Sequence, residues 1–295
     1  MVSSILADIK TRLARRQLQV KTIRIPIGIK RIDYALHGHA LLDWAKPNDF
    51  IDLEGRADAF PVKISDIVSC HGFDFSTGGW HPYIETLRQY VSDPEISFKD
   101  TVLHRYYQLY QPASVAEVLF NRNEATYHPL NTWPPTRAYY NYPWGLSRSI
   151  LAELSSNPQA RLEDGQHFGP AVGMFGEEHF LRLKAVYNSL KNEGYRPERF
   201  PDGFIKGYFI TDFNSVKFVL TRNGNHRVAA MSLLGFESVM AIQDSVALTL
   251  TVTPNVVQQV VSDDQAPFDI NIGFDVFNML ITADGKRKAS EIGIN

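Results

Sequence analysis

The sequence predicts an α+β fold, and three observations lead to this prediction. Segments rich in β-branched residues, such as 20–29 and 60–68, are typical of strands. Residues 177–195 place large apolar side chains at the spacing of one helix face, with acidic residues first and a glycine at the end. Between residues 203 and 243, a hairpin, a helix and a further strand follow one another, so strands and helices are mixed along the chain.

The composition is that of a globular protein without a strong charge bias. Of 295 residues, 44% are hydrophobic and 21% are charged, and the formal net charge is −2. A basic face for DNA is therefore not expected. Cys70 is the only cysteine, which excludes a disulfide or cysteine-built zinc site and predicts a reducing, cytoplasmic location. The chain has no run of about 18 apolar residues, so no membrane span is predicted.

Each element has its own local signal. The predicted strands share β-branched residues: 20–29, 49–55, 60–68, 203–210, 216–221, 238–243 and 248–253. The predicted helices share apolar residues at helical spacing: 3–17, the second half of 72–94, two within 98–120, 177–195, 225–234 and a final one from Pro254. Ser114, followed by Glu117 three residues later, predicts a capping box. Gly194 and Gly235 predict helix ends, and the polar tail from Ala283 is expected to fray.

Residues 121–147 form a segment of a different kind. It holds four prolines, two tryptophans and four tyrosines, which is typical of an irregular loop packed by its own aromatic side chains. Two interpretations stay open, a binding loop or lid and a purely structural arm.

The stretch that leads from a predicted strand into a predicted helix at residues 217–236 is the strongest candidate site. Gly224 allows a sharp turn and a close approach of the backbone to a ligand. The first N–H groups of a helix have no partners within the helix and attract anions. His226 and Arg227 place positive charge where an empty helix end disfavours it, and a bound phosphate would reverse that preference. A structural interpretation also stands, in which Arg227 pairs with a carboxylate and His226 caps a loop carbonyl.

The same residues resemble the phosphate-binding motif of the ParB/sulfiredoxin superfamily. That motif follows a strand and opens a helix, with the pattern G-x-x-R-x-x-A in the partition proteins and D-G-H-H-R in the free-serine kinases. Four residues match by position: Gly224, His226, Arg227 and Ala230. Asn223 stands where the kinases have Asp, and Asn225 stands where they have His. The helix upstream is similar to the family's through Leu183, Ser189, Leu190 and Gly194.

The resemblance covers roughly residues 165–245 and implies a division of the chain. Residues 161–250 would form a ParB/sulfiredoxin-like nucleotide-binding core, residues 1–160 a large N-terminal α/β extension packed on it, and residues 251–295 a C-terminal extension. It also implies that one run holds the nucleotide phosphates: Asn223, Gly224, Asn225, His226 and Arg227.

Among the activities of this family, the resemblance favours a kinase. The partition proteins carry a DNA-binding module after the core, for which the chain beyond residue 245 is too short and too uncharged. Sulfiredoxins carry a cysteine within the motif, and position 225 is Asn. The prediction is therefore a nucleotide-dependent phosphotransferase acting on a hydroxyl of a small molecule or sugar. The alternative is an ATP- or CTP-binding switch protein without transfer.

The kinase interpretation needs a carboxylate that takes the proton of the acceptor hydroxyl. The family implies a glutamate just ahead of the upstream helix, and Glu178 or Glu177 holds a comparable place, with His226 as a further catalytic candidate. Both glutamates would also stabilise the start of a helix without any catalytic role. The resemblance implies ATP or CTP with Mg²⁺, and the Asn at 223 weakens the analogy if the kinases use their Asp for the metal.

A secondary site is predicted at "GGWHP", residues 78–82. Its two glycines let the backbone approach a ligand, and Trp80 and His81 could stack on and hydrogen-bond to a substrate. The structural interpretation, a tryptophan-capped loop before a helix, competes with it.

Overall fold

The computed structural model describes residues 59–135, 167–171, 174–197, 203–221, 224–244, 251–261 and 269–294. The helix predicted at 3–17, the strands predicted at 20–29 and 49–55, and residues 136–147 of the aromatic segment lie outside these ranges.

The described residues build one mixed sheet of six strands. The strands are β1 (Phe60–Lys63), β2 (Ile67–Ser69), β3 (Ile205–Thr211), β4 (Val216–Leu220), β5 (Ser238–Gln243) and β6 (Thr251–Val252). Their order is β1-β5-β3-β4-β2, with β6 pairing to the second half of β3. β3 pairs antiparallel with β4 and parallel with β5, while β1 runs antiparallel to β5 and β2 parallel to β4. The mixed sheet and its helices confirm the general α+β class.

One predicted strand is divided in the structure. The run 60–68 forms two strands rather than one, because a 3₁₀ turn at Ile64–Asp66 separates β1 from β2. The turn lets the two strands occupy opposite edges of the sheet. All three predicted segments, 1–160, 161–250 and 251–295, therefore contribute strands to the same sheet.

Eight α-helices lie in the described ranges. They are α1 (Pro82–Ser92), α2 (Val102–Leu109), α3 (Val115–Phe120), α4 (Phe175–Glu193), α5 (Asn225–Leu233), α6 (Pro254–Val261), α7 (Ile270–Ile281) and α8 (Gly285–Ile292). The N-cap half of the predicted capping box is confirmed, because the Ser114 hydroxyl accepts from the Glu117 N–H at 3.3 Å, while the Glu117 carboxylate accepts from the N–H of Ala113 rather than from that of Ser114. Across the described ranges, every helix is too short or too polar to cross a membrane.

The C-terminal prediction is wrong in two respects. The helix from Pro254 is not the last one, since α7 and α8 follow it. The polar tail does not fray, because the Asp284 side chain caps α8 by accepting the N–H groups of Lys286 and Arg287. Ile294, beyond the helix, is only 3% exposed. Polar residues form one face of α8 and dominate its composition, so the sequence pattern did not reveal the other face, which packs inward.

Helices α1, α4 and α5 pack against one another, while α7 packs against β3 and β4. The buried face of α5 is formed by Val228, Ala229 and Met231, each with no exposed surface. The short side chains of Val228 and Ala229 leave room for α1 and α4 to pack near the first turn of α5. This packing brings side chains from three helices to the start of α5.

Candidate functional site

The turn between β4 and α5 has a backbone that only glycine adopts readily. Gly224 has a φ of +149°, and a Cβ atom there would lie 3.0 Å from Cδ1 of Ile205. Its carbonyl accepts the N–H of Val228 at 2.8 Å and so starts the helix. No side chain among the described residues caps the start of α5. The first N–H groups of the helix are left for a ligand or for solvent.

We expect Gly224→Ala to damage both the turn and the site. A non-glycine residue at this φ costs about 1–3 kcal/mol, and the added methyl also presses on Ile205. Chemical denaturation should show this loss in the free energy of unfolding. Gly235→Ala serves as the control, because Gly235 also has a positive φ but a Cβ there meets open space. Equal stability of Gly224→Ala and the wild type would contradict a strained turn.

Three buried polar atoms lie on residues in or against the first turn of α5 and lack a partner among the described residues. Among the described residues, His226 Nε2, His179 Nδ1 and Asn225 Oδ1 have no hydrogen-bond partner. His179 is 6% exposed and Asn225 is 7% exposed. The ring of His226 lies edge-on to Tyr83 at 4.6 Å between centroids and to His179 at 4.9 Å. Buried polar atoms normally find partners, so this group indicates a site for a ligand.

The two histidines are neutral at pH 7. Burial, followed by the charges of neighbouring groups such as His179, holds the pKa of His226 well below its ordinary value. Burial and then the charge of Arg182 lower the pKa of His179 to about 4. A neutral His226 does not oppose the positive end of the α5 dipole, which removes part of the conflict seen in the sequence. Neutral imidazoles can either donate to or accept from a ligand.

Arg227 has a structural contact at this site. Its Nη1 donates to the backbone carbonyl of Gly203, just ahead of β3. At least part of the guanidinium therefore holds the entry to β3 against α5. The carbonyl of Gly203 is thus one partner of Arg227, and pairing with a carboxylate, as considered from sequence, stays a prediction. Asn223, the remaining residue of the predicted phosphate-binding run, lies outside the described residues.

The start of α4 contributes a residue that sequence reasoning missed. Glu177 and Glu178 lie in the first turn of α4 with exposed side chains, whereas the next residue, His179, is buried and contacts His226. Arg182, one turn later and exposed, is close enough to lower the pKa of both histidines. The signal in the sequence was a histidine on the apolar face of an amphipathic helix.

A second missed residue is a carboxylate at the edge of the same turn. Asp244 follows β5 directly and is 3% exposed. Its Oδ2 accepts a short hydrogen bond from the hydroxyl of Thr221, the residue that follows β4. Asp244 thus lies beside the chain that leads into the Gly224 turn. The signal in the sequence was a carboxylate that directly follows the apolar strand predicted at 238–243.

The secondary candidates Trp80 and His81 have clear structural contacts. His81 caps α1, because its Nδ1 accepts the N–H of Tyr83 at 3.1 Å, and its ring stacks on Phe75 at 4.3 Å. Trp80 packs near Phe73, and its carbonyl closely approaches Gly285. A substrate role for either residue stays a prediction.

No group of three or more His, Cys, Asp or Glu side chains in the described part of the chain is arranged to hold a metal ion. Comparison of the chain with protein-family models, with curated proteins and with solved structures finds no match.

Proposed function

We propose that this chain is a nucleotide-dependent phosphotransferase that holds nucleotide phosphates at the N-terminus of α5. The observation that carries the proposal is a group of buried atoms, on Asn225, His226 and His179, that lack partners among the described residues beside a helix start without a side-chain cap. The order β3, β4, glycine turn, α5 and β5 also supports the ParB/sulfiredoxin-like core that the motif implies.

A phosphate at this position satisfies groups that otherwise lack partners. The first N–H groups of α5 donate to phosphate oxygens, as at other helix N-termini. His226 Nε2 donates in the tautomer that carries its proton there. The positive charge of Arg182 adds attraction at the start of α4. Arg227 fixes the turn through Gly203 and adds positive charge close to the phosphates.

The acceptor hydroxyl needs a group that takes its proton. Glu178 and Glu177 are the candidates from the family resemblance, and the buried neutral His179 is a candidate from geometry. Mg²⁺ bound with a nucleotide keeps phosphate oxygens and water among its ligands and needs only one or two carboxylates from the protein. Asp244, with Thr221, fits that requirement, and the metal would neutralise charge on the phosphates.

One observation favours the second candidate function, a nucleotide-binding switch without transfer. Glu177 and Glu178 are exposed, whereas the unpartnered group at α5 is buried. A site that holds phosphates but lacks a positioned carboxylate base would bind ATP or CTP and release them unchanged.

Nucleotide binding is tested by thermal shift with ATP and CTP in the presence of Mg²⁺. A ligand at 100 times its Kd should add about 2.7 kcal/mol to the free energy of unfolding. We expect Arg227→Ala to weaken the effect at least about tenfold in Kd, since it loses both the charge and the brace on Gly203. Arg196→Ala is a control, because it removes an arginine that is remote in sequence from α5. The absence of a shift with any nucleotide would refute both candidate functions.

Transfer is tested by release of nucleoside diphosphate that depends on an added hydroxyl acceptor. Two variants separate the candidate bases, Glu177→Gln with Glu178→Gln and His179→Gln, while Asp244→Asn tests the proposed metal ligand. A general base contributes roughly 10²–10⁴-fold, so the variant that removes it should lose about that much rate while it still binds nucleotide. Binding with no acceptor-dependent release in the wild type would support the switch function instead.

A further inference from the structure

A second cluster, far along the chain from the α5 turn, surrounds the side chain of Lys288 on α8. Lys288 is 6% exposed. Its Nζ donates to the backbone carbonyls of His71 and Val118, at 2.7 Å in each case. The aromatic rings of Phe73 and Tyr110 lie 5.4 Å and 5.5 Å from the same atom.

No carboxylate among the described residues lies within ion-pair distance of Lys288 Nζ, which is unusual for a buried lysine. Burial lowers the pKa of Lys288 to about 7; the charges of Glu291 and Cys70 oppose this shift, and that of Arg287 adds to it. A substantial fraction of the side chain is therefore a neutral amine at physiological pH. A neutral amine has two N–H groups, which match the two carbonyls, and one lone pair.

Lys288 lines a cavity of about 180 Å³. The cavity is smaller than the roughly 300–1,000 Å³ of sites for drug-sized ligands, so it suits a molecule of few heavy atoms. Its wall also includes His71, Gly72, Asn121, Arg122 and Arg287.

The wall of this cavity holds two arginines, Arg122 and Arg287, against two carboxylates, Asp284 and Glu291, and it is the arginines that can bind an anion. The two acidic side chains of its wall are already engaged, because Asp284 caps α8 and Glu291 accepts from the Asn121 amide at 2.6 Å. Nε of Arg287 is 4.0 Å from Oε1 of Glu291, and Nη1 of Arg122 is 3.8 Å from Oε1 of Glu124, so both ion pairs are loose. Both arginines are more than half exposed and can turn toward a carboxylate.

We propose that this cavity binds a small 2-oxo acid and that Lys288 forms a Schiff base with its carbonyl carbon. The amine lone pair attacks the carbonyl carbon and gives a carbinolamine. The carbonyl oxygen then leaves as water, which takes both protons of the amine, and a C=N bond remains. One proton taken up from solvent gives the iminium form, whose single N–H donates to the carbonyl of His71 or Val118. Arg287 and Arg122 hold the carboxylate.

The proposal is tested by trapping with pyruvate and a borohydride reductant, followed by intact-mass measurement and peptide mapping. We expect one reduced adduct per chain, located on Lys288. Lys288→Arg should lower adduct formation by about tenfold or more, because arginine does not form imines. Lys286→Arg is the matched control on the same helix, since Lys286 is exposed, and it should leave the yield unchanged.

Two further measurements use properties that an exposed lysine does not share. In the wild type, the yield on Lys288 should rise through half its maximum near pH 7, whereas ordinary lysines need a pH near 10. Arg287→Gln should lower trapping of pyruvate several-fold and leave trapping of acetaldehyde unchanged. If Lys288→Arg does not fold, mapping of the wild-type adduct decides. Adducts spread evenly over the lysines, or a yield that follows the pH profile of Lys286, would overturn the proposal.

Discussion

Acidification from pH 7.5 to pH 5.5 is expected to remove a large part of the stability of the folded chain. The cause is a set of five histidines that share burial and a lowered pKa: His71, His81, His167, His179 and His226. They belong to one aromatic cluster. The ring centroids of His71 and His167 are 5.0 Å apart, and the ring of Tyr83 contacts every histidine of the set except His71.

The sign of the effect follows from the direction of the shifts. In the unfolded chain each histidine takes up a proton near its ordinary pKa of 6.5, whereas the folded pKa of His167 is about 3 and that of His179 about 4. The unfolded state therefore binds more protons below pH 6.5, and the free energy of unfolding falls as the pH falls. Above pH 6.5 both states are neutral at these positions and the contribution is fully present. Lys288, with a folded pKa of about 7, adds a smaller change in the same direction, mostly above pH 6.5, because the unfolded lysine is fully protonated throughout.

The expected magnitude is large for a single domain. One pH unit below the ordinary value costs about 1.4 kcal/mol for each buried histidine, so five cost about 7 kcal/mol. Whole domains are stable by only roughly 5–15 kcal/mol. Urea denaturation at several pH values between about 7.5 and 5.5 measures the slope.

His179→Gln should reduce the slope by about one proton, because it removes one buried imidazole. The control is His128→Gln, which removes an exposed histidine and should leave the slope unchanged. A wild-type stability that is flat over this range would contradict the lowered pKa values, because it would show that these histidines take up protons equally in the folded and unfolded chains.

His179→Leu is expected to make the protein more stable and its nucleotide affinity lower. His179 Nδ1 is buried without a partner among the described residues, and such an atom costs roughly 1–3 kcal/mol. Leucine removes the polar atom and suits the apolar face that also holds Leu183 and Tyr187. The ring contact with His226 at 4.9 Å is lost, and with it one side of the proposed phosphate site.

The opposite signs of the two effects distinguish a functional residue from a packed one. Denaturant unfolding at pH 7.5 should give a gain of about 1 kcal/mol or more, and titration with nucleotide should give a Kd at least about tenfold higher. Leu183→Ala is a matched control on the same helix face; it should lower stability by about 2–5 kcal/mol and leave the site chemistry in place. A less stable His179→Leu protein with normal nucleotide affinity would assign the residue to the core.

The parts of the fold that local sequence signals determine could be predicted. The β3–β4 hairpin, α5 and its glycine turn follow from turn and capping chemistry within a few neighbouring residues. The division of residues 60–68 into two strands could not be predicted, because it depends on β5 and β4 as distant partners.

The same distinction applies to the candidate site. Gly224 was identified because its backbone requirement is local. His179 and Asp244 were missed, because their roles arise from packing against α5 and from the neighbouring end of β4. Lys288 lay in a stretch that looked like a polar tail, since nothing in its neighbours shows that two carbonyls far away in sequence accept from it.

The pairing of β1 with β5 has a consequence for how the protein is made. Ribosomes synthesise β1 long before its partner β5. The carbonyl of His71 gains its hydrogen-bond donor, Lys288, later still, because α8 follows β5 along the chain. Until then, β1 and β2 lack their partner strands, and Phe60 lacks the rings of Phe209 and Phe218 on which it packs. We therefore expect truncation before α8 to yield insoluble protein rather than a smaller folded domain.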